Sequence, residues 1–221
     1  QNFDASNWDT IPVPSVWQNH GYDRHQYTNI RYPFPADPPY VPYENPCGAY
    51  LTDFEYAMNP DAPKAYLNFE GVDSCFYVWL NGQYLGYSEV SHSTSEFDIT
   101  ANVQEGKNTL AVMVLKWCDG SYLEDQDKFR TSGIFRDVYI LSRPENCIRD
   151  YFTTTLLDEE EATVRIRFAY NGDVTATKVK ILNAADKSVA TAAVKPFENG
   201  GAYTHQAVLT IKNPVLWNPE Q

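Results

Sequence analysis

A chain of 221 residues with 43% hydrophobic side chains is long enough for one large or two ordinary domains with real cores. Its formal net charge of −12 leaves 17 scattered Lys and Arg, which argues against a phosphate-binding face, so neither nucleic acid nor an anionic membrane is expected as a partner. No apolar run approaches the roughly 18 residues that cross a bilayer, and the opening QNFDASNWDT has no basic or apolar leader, so the chain is expected to be soluble and, without an initiator Met, a processed or cut-down product.

Residues 1–46 are rich in Pro, Asn and aromatics, and PFPADPPYVPYENP at 33–46 predicts an ordered but irregular arm, because proline has no N–H to donate to a helix or inner strand. From Ala49 the period becomes two. YLTDFEYA, KAYLNFEGV and CFYVWLNGQYLGYSE alternate apolar and polar residues as strands do, and Asn81-Gly82 predicts a type I′ hairpin turn. SEFDIT at 95–100 is a further short strand, Glu105 to Asn108 a turn, Thr109 to Trp117 a central strand, and IFRDVYIL at 134–141 the strand that closes the set. Ser142 to Asn146 has the composition of a domain boundary.

A second β-pattern follows, with strands near 150–157, 162–170, 177–183, 188–194 and 202–211, and turn signals at Asn171-Gly172 and Gly200-Gly201. Such a series suggests an immunoglobulin-like sandwich, which normally takes about seven strands, so the unit is expected to lack its final ones. The fold class expected is all-β, with two packed units over 1–144 and 145–221.

Cys47, Cys75, Cys118 and Cys147 show no CxxC spacing, which argues against zinc; four buried free thiols are expected, with two long-range disulfides as the alternative. His20, His25, His92 and His205 are scattered and no G-x-S-x-G occurs, so Ser/His/Asp chemistry finds no support. Nor is there a Gly-rich phosphate cradle.

The charge density peaks at DGSYLEDQDKFRTSGIFR, residues 119–136, directly after the apolar strand. A charged loop on a rigid β-scaffold is a usual place for binding chemistry. Three readings of Asp119, Glu124, Asp125 and Asp127 stand open: a hard-cation site, a general acid/base pair, or structural pairing with Arg130 and Arg136. Carbohydrate is the ligand class that suits carboxylates and amides beside many aromatics.

VPSVWQNHGYD (13–23), YTNIRYP (27–33), PPYVPYENPCGAY (38–50), FEGVDSCFYVWLNG (69–82), SEFDIT (95–100) and the stretch LAVMVLKWCDGSYLEDQDKFRTSGIFRDVYILSRP (110–144) together resemble the N-terminal part of bacterial β-galactosidases of glycoside hydrolase family 2. The resemblance implies a jelly-roll sugar-binding domain with its irregular arm, then an immunoglobulin-like domain incomplete at its C-terminus, and a catalytic (β/α)₈ barrel outside this chain. It implies substrate contacts from Asn29 and Asp127, with Tyr27 lining the site, and a sodium ion held partly by Asp127. Glu124 and Asp125 are expected to support by hydrogen bonding, and Trp79 and Trp117 to be core.

By the same resemblance no catalytic residue lies in this chain, the parent is a retaining enzyme acting on terminal β-D-galactosides, and it uses sodium and magnesium. Its partners are the galactoside, its own barrel and, through homo-oligomerisation, further copies of itself. PFENGGAYT at 196–204 is shorter than the excursion by which well-known members reach a neighbouring subunit's active site. The compartment, cytoplasmic or periplasmic, stays open. The alternative is a free-standing carbohydrate-binding or adhesion module, and a third option is another specificity of the same family, such as β-glucuronidase.

Overall fold

A computed structural model describes residues 4–29, 31–124, 127–174, 176–198 and 201–219. It divides into two compact units, Gln1–Arg143 and Pro144–Gln221. Both are all-β; among the described residues no helix is long and apolar enough to cross a membrane.

The strands of the first unit are β1 (Gln26–Thr28), β2 (Cys47–Tyr56), β3 (Lys64–Phe69), β4 (Val72–Asp73), β5 (Cys75–Leu80), β6 (Gln83–Ser88), β7 (Ser95–Asp98), β8 (Gly106–Leu115), β9 (Lys128–Arg130), β10 (Gly133–Ile134) and β11 (Val138–Arg143). A four-stranded sheet runs β2-β8-β5-β6 and a three-stranded one β11-β3-β7. Every second residue of β8 points inward, and the register sets Leu110, Val112 and Val114 opposite Leu80, Val78 and Phe76 of β5. Ala65, Leu67 and Phe69 of the other sheet join the same core, each such buried Leu, Val or Phe contributing about 1.5–3 kcal/mol. The unit is the β-sandwich that the alternation predicts.

Local chemistry fixes the connections. Asn81 (φ 52°) and Gly82 (φ 79°) form the hairpin turn between β5 and β6. The Asn81 amide donates to Asn102 O at 3.0 Å and to Asn108 Oδ1 at 2.9 Å. The expected turn at Glu105 to Asn108 is instead mostly strand: β8 starts at Gly106, and Asn108 is buried because its amide donates to Gln104 O and Gly106 O. IFRDVYIL is two strands, β10 and β11. Between them the chain changes partner, with Phe135 N–H bonding Gly71 O at 3.2 Å and Glu70 N–H bonding Asp137 O at 3.0 Å.

The second unit contains β12 (Cys147–Leu157), β13 (Glu161–Asn171), β14 (Lys178–Leu182), β15 (Ser188–Ala193), β16 (Lys195–Pro196) and β17 (His205–Lys212). One sheet runs β12-β13-β17-β16, and the β14–β15 hairpin packs Val179, Ile181, Ala190 and Ala192 against Phe168, Ala207 and Leu209. The short stretch β16 was not legible as a strand. Of PFENGGAYT, Asn199 and Gly200 lie outside the described residues, so of the expected Gly200-Gly201 turn only Gly201 (φ 64°) is described.

The cysteines correct one expectation. All four are free, but only Cys75 and Cys118 are buried; Cys47 is exposed and Cys147 half-buried. Cys47 and Cys147 each begin a strand, β2 and β12, and sit at its outer end, where no second layer covers them fully. Trp117 is buried, while Trp79 is half-buried on the outer face of β5, its ring 6.2 Å from Tyr77 and 5.6 Å from Tyr84.

Candidate functional site

The arm residues before β2 reach the charged loop through a ribbon that pairs β1 with β9 in antiparallel register, Gln26 opposite Arg130, Tyr27 opposite Phe129 and Thr28 opposite Lys128. The next step of that register falls on Asn29 and Asp127. Tyr27 and Phe129 stand opposite one another and share a face of the ribbon, while Asn29 and Asp127 lie in bends one residue beyond its last pair. Tyr27 Oη donates to Asp127 Oδ1, and the Tyr27 and Phe129 rings lie 5.9 Å apart. This hydrogen bond to a carboxylate holds the Tyr27 phenol above its ordinary pKa. All four residues are exposed to solvent.

The ribbon is short, so it depends on what ties down its two strands. On the arm side, the 3-10 turn Trp17–His20 seats Trp17 in the core, with its indole N–H donating to Tyr50 Oη and its ring over the bare backbones of Gly48 and Gly133. Gln18 exchanges hydrogen bonds with Ser132, accepting from Ser132 N at 3.1 Å and donating to Ser132 Oγ at 3.3 Å. Asp23 forms an ion pair with Lys116, which is 3% exposed. Burial raises the Asp23 pKa, but the Lys116 hydrogen bond, the Arg24 backbone, the Lys116 charge and Gln18 outweigh it and hold the carboxyl below its usual value. Lys116 continues the inward alternation of β8 into a position where most strands place an apolar residue. That break in period was the one signal in the sequence that could have found the pair.

On the loop side, Glu124 accepts from Ser91 N at 2.9 Å and Ser91 Oγ at 2.7 Å, which is the supporting role expected of it. Arg130 donates to the Glu124 carbonyl at 2.7 Å. Lys128 reaches Asp73 Oδ1 at 3.7 Å, and Thr131 Oγ1 donates to Asp73 Oδ2. The proline-rich stretch fastens the other end: Asn45 donates to Trp117 O at 2.7 Å, Tyr122 Oη donates to Tyr40 O at 2.6 Å, and the Phe34 ring lies 5.0 Å from Trp117 and 5.3 Å from Tyr122. Asp125 lies outside the described residues.

Tyr27, Asp127 and Phe129 present a phenol, a carboxylate and an aromatic face to solvent, and the exposed Asn29 amide follows two residues after Tyr27; these are donors and acceptors suited to vicinal hydroxyls. Among the described residues no donor but Tyr27 reaches the Asp127 carboxylate, so a hard cation finds an oxygen there of the right chemistry. Glu89, Cys118 and Asp119 are the only described group that brings three possible ligand atoms within 4.8 Å, and its thiol is the wrong donor for sodium or magnesium. The scattered histidines are accounted for by rings and surface: His25 lies edge-on to Phe129 at 5.6 Å, and His205 edge-on to Tyr170 at 5.0 Å.

The chain is similar in sequence and in shape to proteins that are glycosidases by name. The β-galactosidase of Actinobacillus pleuropneumoniae is 53% identical over 175 residues, which cover 78% of this chain and 17% of that protein. The β-galactosidase of Staphylococcus xylosus is 44% identical over 215 residues, 96% of this chain and 20% of that one, so the chain spans about a fifth of the relatives it matches. Among solved structures, a β-glycosidase from Bacteroides vulgatus superposes over the whole chain and 27% of its own length, with a TM-score of 0.71 at 22% identity. A Bifidobacterium dentium β-glucuronidase matches 77% of this chain and 34% of its own, with a TM-score of 0.65 at 21% identity, which shows the fold and not the substrate. The family model described as glycosyl hydrolases family 2, sugar binding domain, matches residues 2–144, so the chain belongs to glycoside hydrolase family 2.

Proposed function

We propose that this chain is the substrate-positioning, non-catalytic N-terminal part of a retaining β-galactosidase. The two glutamates that break the glycosidic bond by double displacement then stand on a (β/α)₈ barrel elsewhere in the protein. Asn29 and Asp127 hold galactosyl hydroxyls, Tyr27 orients the Asp127 carboxylate, and that carboxylate contributes to a sodium site. Magnesium and homo-oligomerisation belong to the same reading of the parent enzyme. The observation that carries it is the Tyr27–Asp127 hydrogen bond, which unites the arm and the charged loop at the solvent edge where a sugar can dock. The β-galactosidases among the relatives favour galactosides over other β-glycosides.

Turnover of a chromogenic β-galactoside separates the possibilities. The 221-residue chain is expected to show none, and turnover that Asp127→Ala leaves unchanged would sink the reading. In a protein joining this chain to its barrel, Asp127→Ala is expected to lower kcat/KM about ten- to a hundredfold, the worth of one charge-assisted hydrogen bond. Titration calorimetry of the chain with galactose should give barely measurable heat, since two polar side chains supply little against the cost of ordering a ligand. Binding in the millimolar range or tighter would favour the free-standing binding module instead.

A further inference from the structure

The outer face of the sheet β2-β8-β5-β6 departs from the alternation that a half-solvated sheet should show. A strand with one face in a core and one in water places polar residues outside, whereas β5 and the second half of β8 are apolar or aromatic on both faces, the pattern of strands covered on both sides. The register lays Leu51, Ala111, Trp79 and Tyr84 in one row across the four strands. In the next row Met113 leads to Tyr77 and Tyr87. No charged residue interrupts either row. The charges that flank them are engaged: Lys107 pairs with Asp53 at 2.8 Å, and the Tyr87 hydroxyl donates to Glu89 at 2.8 Å.

Four rings form one cluster on this face. Tyr77 lies 4.8 Å from Tyr87 and 6.5 Å from Tyr84, and Trp79 lies 5.6 Å from Tyr84. Tyr84 is 55% and Tyr87 39% exposed, while Tyr77 and Trp79 are half-buried. Among the described residues the Tyr77 and Tyr84 hydroxyls and the Trp79 indole N–H have no hydrogen-bond partner, so the apolar rings carry polar tips that are free to bond a ligand. Four strands about 4.8 Å apart and two rows of side chains about 7 Å apart give a face of roughly 300 Å². That is well under the roughly 800 Å² per partner of a stable protein interface, and within the size of patches that mark a binding site.

We propose that Tyr77, Trp79, Tyr84 and Tyr87 form a second carbohydrate surface, on residues that the Tyr27–Asp127 contact does not use, and that it takes a neutral oligosaccharide several sugars long. A sugar ring presents C–H groups on its face and hydroxyls at its rim, which is the complement of an uncharged aromatic cluster with unsatisfied O–H and N–H tips. The absence of charge from both rows selects against anionic glycans. The spread of the four rings over two strands calls for more than one sugar, since a single ring covers only part of the cluster. Such a surface holds a polymer on the sandwich independently of what the ribbon does.

Electrophoresis of the whole chain through native gels containing soluble β-1,4-galactan or β-glucan reads the binding. The wild type should be retarded by at least one of the two polysaccharides. Trp79→Ala should lose the retardation, and Tyr84→Ala, at a position too exposed to threaten the core, should weaken it about fivefold. Asp127→Ala should run as the wild type does. No retardation in either gel, retardation that both aromatic variants leave intact, or its loss in Asp127→Ala overturns the proposal. So does a dimer in sedimentation that Tyr84→Ala dissociates, which would make a second copy the occupant of the face. Failure here leaves the turnover test of Asp127→Ala unaffected, so the two readings fall separately.

Discussion

The two units carry the same two-residue alternation and bury very different amounts of it. In the first, β8 lies between β2 and β5 and every second residue from Asn108 to Val114 is buried. In the second, β12 is longer than most strands of the chain and has no buried residue, with Tyr151 65% and Leu157 59% exposed on the face it shares with Phe168 and Ala162. Alternation therefore specifies a strand and its faces, whereas burial depends on a second layer being there. Among the described residues the β14–β15 hairpin with Val194 covers the Phe168 face, while two sheets enclose Phe69.

The contrast breaks most sharply if core truncations cost the same in both units. Phe69→Ala is expected to destabilise the first unit by about 3–5 kcal/mol, because a closed core cannot collapse around the void. Phe168→Ala should cost nearer about 2 kcal/mol, since water and the loose hairpin can fill the space. Denaturant unfolding followed by fluorescence and by amide exchange separates them. Buried Trp17 and Trp117 report the first unit by fluorescence, amide exchange along β13 and β17 reports the second, and equal destabilisation of both would remove the distinction.

A smaller effect sharpens the same comparison from the polar side. Asp23→Ala leaves buried Lys116 without its carboxylate and is expected to cost the first unit about 2–3 kcal/mol, less than a fully buried pair because Asp23 itself is partly exposed. The Asp23 pKa is lowered in the folded state, so the pair's contribution is present above the unfolded value near about 4 and is lost as pH falls through the lower folded value. Acid titration of stability should show that loss in the wild type and not in Asp23→Ala. The smallest signal is kinetic: amide exchange along β12 should outpace β8, and uniformly slow exchange across Pro144–Gln221 would contradict the open face.

Much of this was legible from pattern because the cause was local. Asn81-Gly82 sets its own backbone, and the alternations of β2, β5, β8 and β13 each state which face is apolar. The candidate site was not legible that way. β1 and β9 are three residues each, too short for a period, and lie a hundred positions apart. Asn29 and Asp127 came from resemblance; the structure shows Asp127 bonded to Tyr27 and the arm paired with the loop through β1 and β9. The strand expected over 134–141 is broken for a related reason: hydrogen bonds to Gly71 redirect it, and no property of its own residues announces a partner that distant.

Trp17 links these scales. Its ring fills a slot floored by two glycine backbones, where an added Cβ would stand 2.4 Å from it at Gly48 and 3.0 Å from it at Gly133. A slot of that kind needs both β2 and β10 in place, so the indole acts as a latch seated across the two strands. What it latches is the arm carrying Tyr27 and Asn29, which makes the register of the ribbon depend on a side chain that lies outside it.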